Sequence, residues 1–411
     1  MSGYVGSNFA EPRRMRRLCA RIGWAFCLAA GPAQALEFFD GDVQLHGFAS
    51  QAAIRSNHNN NFLGPSSRET SLRFTELGLN VAARLGPRLN LAAQVVSRSA
   101  GADAHGALRV DFALADLNLQ DTETSRLGLR AGRVKIPYGF YNSTRDIAFT
   151  RPGVVLPQSI YPERVRAFSD TLDGLAPYAR LSAGEAELLF EAALGKPRLD
   201  DRETTVTFIG NGVRGRFEGD TAAIGRVMLQ EQRGTWRLAY SQAQLRGDYR
   251  QGERDPLLKG RVKLHLSLLS AELNLEPWSF TAEHVFGYAG NTGLGIFRPD
   301  DGLPFEGAYL QGAWRAGPRW QWFLRYDSYY QDRNDRDGTW LASHTPLPSH
   351  AAYARDRTLG VRFDVSPSFM LRAEYHRVNG TAWLPVLDNA DSGRPPQRDW
   401  DMFMLLGSLR F

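Results

Sequence analysis

Charge is the chemistry this sequence offers, and arginine supplies nearly all of its positive part: Lys135, Lys196, Lys259 and Lys263 are the only lysines. Single ionisable residues recur within alternating, otherwise apolar stretches: Arg98, Arg109 with Asp111, Arg130, Lys263 with His265, Arg325 with Asp327, Arg362 with Asp364, and Arg372 with Glu374. A denser group lies between 135 and 170, where Lys135, Arg145, Arg151, Arg164 and Arg166 oppose Asp146, Glu163 and Asp170. A guanidinium stays ionised at any working pH, so these residues offer a permanent field rather than proton transfer.

Constellations for catalysis are weak. His46, His284 and His376 stand alone in the sequence, and no HExxH, GxSxG, GxGxxG or GxxxxGK[ST] occurs. Asn57-His58-Asn59-Asn60-Asn61 reads as a solvated loop rather than a metal site. Both cysteines, Cys19 and Cys27, lie near the N-terminus, so the rest of the chain has no thiolate ligand, nucleophile or disulfide. No cofactor and no metal are expected, and the chain is not expected to be an enzyme.

Length and composition narrow the class. A soluble chain of 411 residues would hold two or three domains. Hydrophobic residues make up 43% and charged residues 23%, and no run of about 18 apolar residues exists to span a bilayer as a helix. The 9 Trp, 14 Tyr, 23 Phe and 40 Gly fit an all-β protein and argue against disorder. The formal net charge of +5 comes mostly from Arg13, Arg14, Arg16, Arg17 and Arg21, so it gives no argument for nucleic acid.

Those arginines precede an apolar run, Ile22 to Ala30, and then Ala33-Gln34-Ala35. A basic region, a short apolar region and an A-x-A site describe a secretory signal peptide, so 1–35 is read as cleaved and 36–411 as mature.

From Val43 onward the pattern is period-2 alternation in segments of about ten residues. Strands are expected at 43–54, 72–84, 89–99, 108–119, 126–136, 169–182, 186–195, 221–230, 235–246, 261–275, 278–288, 305–315, 319–330, 357–365, 369–378 and 400–411, with 204–217 partly strand-like. Connections after even strands are short. Those after odd strands are long: 55–71, 100–107, 137–168, 196–220, 247–260, 289–304, 331–356 and 379–399. This alternation, with an even strand number, is the topology of an all-β, transmembrane antiparallel β-barrel of about 16 strands. Trp236, Trp278, Trp314 and Trp320 stand beside short turns, and Tyr288, Tyr329 and Tyr330 end strands on the long-loop side, as two aromatic girdles would. Giving the more apolar face of each strand to lipid turns Arg98, Arg109, Asp111, Arg130, Lys263, His265, Arg325, Asp327, Arg362, Arg372 and Glu374 into the lumen. An arginine at the bilayer midplane would cost about 2–4 kcal/mol.

The chain ends Phe403-Met404-Leu405-Leu406-Gly407-Ser408-Leu409-Arg410-Phe411, which resembles the C-terminal signature of bacterial outer-membrane barrels. Leu127 to Gly139 is similar to the fifth-strand region of trimeric sixteen-stranded porins, including the phosphate-selective-porin-like group. That resemblance implies that Phe411 is an assembly signal read by the barrel assembly machinery. It also implies a homotrimer in outer-membrane lipid and lipopolysaccharide, and an inward-folded third loop at 137–168 that narrows the pore. Pro137, Pro152, Pro157 and Pro162 lower the entropy cost of fixing that loop. The selectivity residues would be Arg98, Arg109, Asp111, Arg130, Arg145, Asp146, Arg151, Glu163, Arg164 and Arg166. The expected function is a passive channel for small polar solutes with weak anion preference. The alternatives are a specific channel for sugars or carboxylates, or a non-channel barrel acting as an enzyme or adhesin.

Overall fold

Period-2 sequences become strands when one face can be buried, and here they close into a ring. The structure, a computed structural model, describes residues 36–199, 201–295, 302–390 and 395–411; the expected signal peptide, 1–35, lies outside the described residues. The strands are β1 (Leu36–Phe38), β2 (Val43–Ser56), β3 (Ser71–Arg84), β4 (Leu89–Ala100), β5 (Ala104–Asp121), β6 (Ser125–Lys135), β7 (Thr171–Ala183), β8 (Ala186–Pro197), β9 (Arg216–Glu231), β10 (Trp236–Arg250), β11 (Gly260–Leu275), β12 (Trp278–Thr292), β13 (Leu303–Arg315), β14 (Trp320–Tyr330), β15 (Tyr353–Ser366), β16 (Phe369–Gly380) and β17 (Asp399–Arg410). From β2 to β17 each strand pairs antiparallel with the next, and β17 pairs with β2 from Met402↔Ser56 to Arg410↔Phe48. The sixteen expected strands are therefore all present in a closed barrel, which leaves no open edge for lipid to meet.

The seam is finished at its short-turn end by two small pieces. β1 pairs with the start of β2, Leu36↔Leu45 to Phe38↔Val43. Between them Phe411 exchanges backbone hydrogen bonds with Gly47, at 3.1 and 3.0 Å. The Phe411 ring lies flat on Gly47, where a Cβ would fall 2.3 Å from it.

Two expected connections differ. Residues 100–107 form a tight connection at 101–103, because β5 starts at Ala104 and Gly101 takes a positive φ at the turn. The 204–217 stretch is not a strand up to 209. Asp201 accepts a hydrogen bond from Thr204 N and caps a helix, α1 (Arg202–Ile209), which Gly210 ends at φ 87°.

The outward face is an apolar belt. Leu77, Leu79, Leu238, Leu269, Leu310, Leu324, Leu359, Phe403 and Leu405 are exposed on it, an area that water would not favour and lipid would. Trp278 and Trp314 stack outward beside the turn at 276–277, centroids 5.8 Å apart. Trp320 packs on Phe363 at 4.4 Å. Tyr288 is outward and exposed, but Tyr329 turns into the barrel. The buried core lies inside the ring. One cluster joins Leu156 and Tyr161 to Phe217, Leu245 and Leu268, and a second joins Phe149 and Val154 to Phe62, Phe74, Trp400 and Met404.

Candidate functional site in the barrel interior

Residues 137–168 supply one side of both clusters, so the connection between β6 and β7 lies inside the barrel. It holds short helical turns at 142–144 and 148–150 and a six-residue segment, 163–168, kinked at Val165. Wall side chains tie down its backbone around the circumference. Glu283 on β12 accepts from Phe140 N at 3.1 Å, and Asp327 on β14 accepts from Gln158 N at 2.8 Å. Glu374 on β16 accepts from Val154 N. Arg372 donates to the carbonyls of Ala148 and Gly153 at 2.9 and 2.7 Å, and Arg362 to that of Phe149 at 3.4 Å. Arg226 on β9 donates to Gly139 O. An inward loop buries peptide groups that a wall of donors and acceptors must satisfy.

On the β3–β6 side the loop is held by ion pairs. Glu76 receives Arg151 through two nitrogens, at 2.7 and 3.2 Å, and Arg98 at 3.4 Å. Arg98 also pairs with Glu163, which Arg145 and Arg166 reach at 3.4 and 3.6 Å. Arg166 pairs with Asp146. Lys135 Nζ lies 2.7, 2.6 and 2.9 Å from Asp111, Asp146 and Asp170, and Arg109 reaches Asp170 at 3.3 Å. Burial pushes the Glu163 carboxyl up, but Arg98, Arg166, Arg145 and Arg151 outweigh it and hold it at about 2. One oxygen from each of Asp111, Asp146 and Asp170 lies within 4.8 Å of the others, a spacing that would suit a divalent cation. The Lys135 ammonium already sits among them.

The structure thus sorts the ten residues expected to set selectivity. Arg98, Asp111, Arg145, Asp146, Arg151 and Arg166 are buried, and with the Glu163 carboxylate, whose side chain is also shielded, they form one network that fastens the loop rather than projecting into water. Arg109 is half exposed. Arg130 lines an open chamber of about 540 Å³ at the short-turn end, paired with Asp116 at 3.3 Å and lying over the Tyr178 ring at 4.4 Å. Arg164 makes no ion pair among the described residues. Arg325, Asp327, Arg362, Arg372 and Glu374 face inward as expected; Asp327, Arg362, Arg372 and Glu374 hold the loop, and Arg325 reaches the Thr358 hydroxyl at 3.5 Å.

Lys263 and His265 do not face the lumen. They are exposed on the outer face of β11, His265 opposite Tyr288 and Lys263 opposite Gly290. The inward residues of that strand are Val262, Leu264, Leu266 and Leu268, which pack on the loop. The rule that sends the more apolar face to lipid fails where the lumen itself is filled by an apolar segment.

Several interior residues were not assigned from sequence. Glu76 and Glu283 are each the one ionisable residue buried on their strand face, Asp356 shares its face with Arg362 and Asp364, and only the need for a buried partner marks them. His376 lies between Asp356 and Glu374 at 2.7 and 3.1 Å, with the Thr358 hydroxyl 3.1 Å away. Hydroxyl, imidazole and carboxylate stand in the order of a hydrolytic triad, but all four residues are buried under the loop, at 3% exposure or less. The arrangement fixes Glu374 for Val154.

No family model matches the chain, and no curated protein matches it by sequence. Solved structures match its fold. The Salmonella typhi OmpF complex with daunomycin aligns with a TM-score of 0.57 at 9% identity, over 92% of this chain and 100% of that one. The outer-membrane channel DcaP of Acinetobacter baumannii gives 0.53 at 12%, over 92% and 99%. The anion-selective porin from Comamonas acidovorans gives 0.51 at 15%, over 90% and 99%.

Proposed function

We propose that this chain, which has the sixteen-stranded porin fold, is an outer-membrane channel for small polar solutes with weak anion preference and no catalytic step. The observation that carries the reading is the inward connection 137–168, bound to the wall from β3 round to β16, above an open chamber at the short-turn end. Such a segment excludes large solutes sterically, and the accessible charges filter the rest. The chamber is lined by Arg84, Arg130 and Arg226 against Asp42, Asp116 and Glu191, with Lys135 at its edge already held by three carboxylates, so the preference they give is weak. In this reading the chain is exported with 1–35 removed, seated in lipid and lipopolysaccharide through its apolar belt, and assembled as a homotrimer. A trimer form is printed for a Vibrio cholerae outer-membrane protein of the same fold, at a TM-score of 0.53 and 11% identity.

Reversal potentials across planar bilayers in a KCl gradient test this. The wild type should favour chloride weakly, and Arg109→Gln with Arg130→Gln should shift the potential toward potassium. A strongly cation-selective wild type, or an unchanged double variant, overturns the anion preference. A folded protein that never conducts overturns the channel.

A further inference from the structure

The interior holds a second, different chamber. An apolar cavity of about 150 Å³ lies in the long-loop half, between 158–168 and the wall from β9 to β13. Its lining includes Phe168, Leu245, Leu266 and Phe305, and Phe208 of α1 and Trp383 close its outer end. Phe208 is seated on Phe168 with centroids 4.8 Å apart. A cavity of about this volume, lined by aliphatic and aromatic side chains, holds one benzene ring.

Arg164 lines the same cavity. Arg98, Arg145, Arg151 and Arg166 each have a carboxylate partner, whereas among the described residues Arg164 has none. Its guanidinium rests 6.0 Å from the centroid of the Tyr329 ring, another lining residue. The acids that share a cleft with Arg164 already accept from other donors: Asp103 from Glu203 N, Glu163 from Arg98 and Arg145, Glu203 from Val386 N and Leu387 N, and Asp388 from Gly64 N and Ala102 N. A guanidinium at the lip of an apolar chamber, with its fork unmatched, is suited to one planar carboxylate.

We propose that this cavity binds a small aromatic monocarboxylate, with the ring in the apolar chamber and the carboxylate on Arg164. An organic amine would meet the Arg164 charge and a dianion would need a second unpaired cation, while Gln158, Ser159, Ser169, Thr207 and Gln331 add polar points to an otherwise apolar wall. The proposal names a solute class for the channel proposed above and rests on that reading for its purpose, although binding itself does not require conduction.

Calorimetry on the full mature chain, folded in detergent, tests it with benzoate, acetate and benzyl alcohol as probes. Benzoate should bind saturably and at least tenfold more tightly than acetate. Arg164→Gln should weaken benzoate tenfold or more and change benzyl alcohol less than twofold. Ala243→Phe, which fills the chamber, should abolish both, with heat-modifiable migration on gels showing that each variant is folded. Benzoate no tighter than acetate, or an Arg164→Gln variant within twofold of wild type, overturns the site. Conduction without benzoate binding defeats this inference and leaves the channel standing. Benzoate binding without conduction supports the site and defeats the channel.

Discussion

Replacing Glu76 with Gln removes the charge that holds the centre of the inward segment to the wall. Glu76 is 1% exposed and Arg151 3%. In the wild type Glu76 accepts from Arg151 at 2.7 and 3.2 Å, from Arg98 at 3.4 Å and from Ser50 Oγ at 3.4 Å. Arg98 keeps Glu163 in the variant, but among the described residues Arg151 has no other carboxylate and retains only its bond to Arg145 O at 3.2 Å. The new amide turns an NH2 group toward a guanidinium, donor against donor. Breaking one side of a buried ion pair costs about 3–5 kcal/mol, roughly two to three and a half decades in an equilibrium constant. The wall cannot relax easily, because β2, β3 and β4 are fixed by continuous backbone ladders. The segment around 145–156 is held by single side-chain contacts rather than by ladders, so it is the part that yields and the strain should open the pore. Single-channel recording of Glu76→Gln should show larger and noisier conductance than wild type, and Glu76→Gln combined with Arg151→Gln should return toward wild type because no unpaired charge remains. A correctly folded Glu76→Gln barrel with wild-type conductance would refute the reasoning, as would a double variant as open as the single one.

Other outcomes follow from the seam and the outer loops. Deleting Phe411 should lower the yield of heat-modifiable outer-membrane protein, and Gly47→Val should do the same, since its side chain would strike the Phe411 ring; wild-type yields for both would remove the role given to that contact. Burial first, then the charges of Asp388 and Asp103, push the Glu203 carboxyl up to about 7, against the backbone donors that favour its charged form. The folded value lies above the unfolded one, so this contribution is complete below the unfolded value and lost as pH rises through about 7. Hydrogen-exchange protection factors at 201–210 and 381–390, with the intrinsic base-catalysed rate divided out, should therefore fall between pH 5 and pH 8 in the wild type and change little in Glu203→Gln, and protection that rises with pH would contradict this. N-terminal sequencing of the membrane-inserted protein should begin near Leu36, and an unprocessed, soluble, folded chain would contradict export.

The wall was legible because alternation is a strong local signal when one side meets lipid. Leu77, Leu79 and Val81 in β3, or Phe403 and Leu405 in β17, fix the outer face without any knowledge of partners. The interior was less legible because a filled lumen reverses the rule. In β11 the inward Val262, Leu264, Leu266 and Leu268 look from sequence like a lipid face, and Lys263 and His265 look like a lumen. What distinguishes them is the presence of residues 137–168 on the other side, a contact about a hundred residues away in sequence that no local pattern encodes. The same fact explains the charges. From sequence Arg145 and Arg151 look like selectivity residues exposed to the pore. Their isolation by burial makes them fasteners, since a charge taken out of water must be matched at once by a specific partner. Arg164 alone among the loop arginines escapes that requirement among the described residues. The sequence spacing that put it beside Glu163 and Arg166 could not show that its side chain would turn instead toward Tyr329 and the apolar chamber.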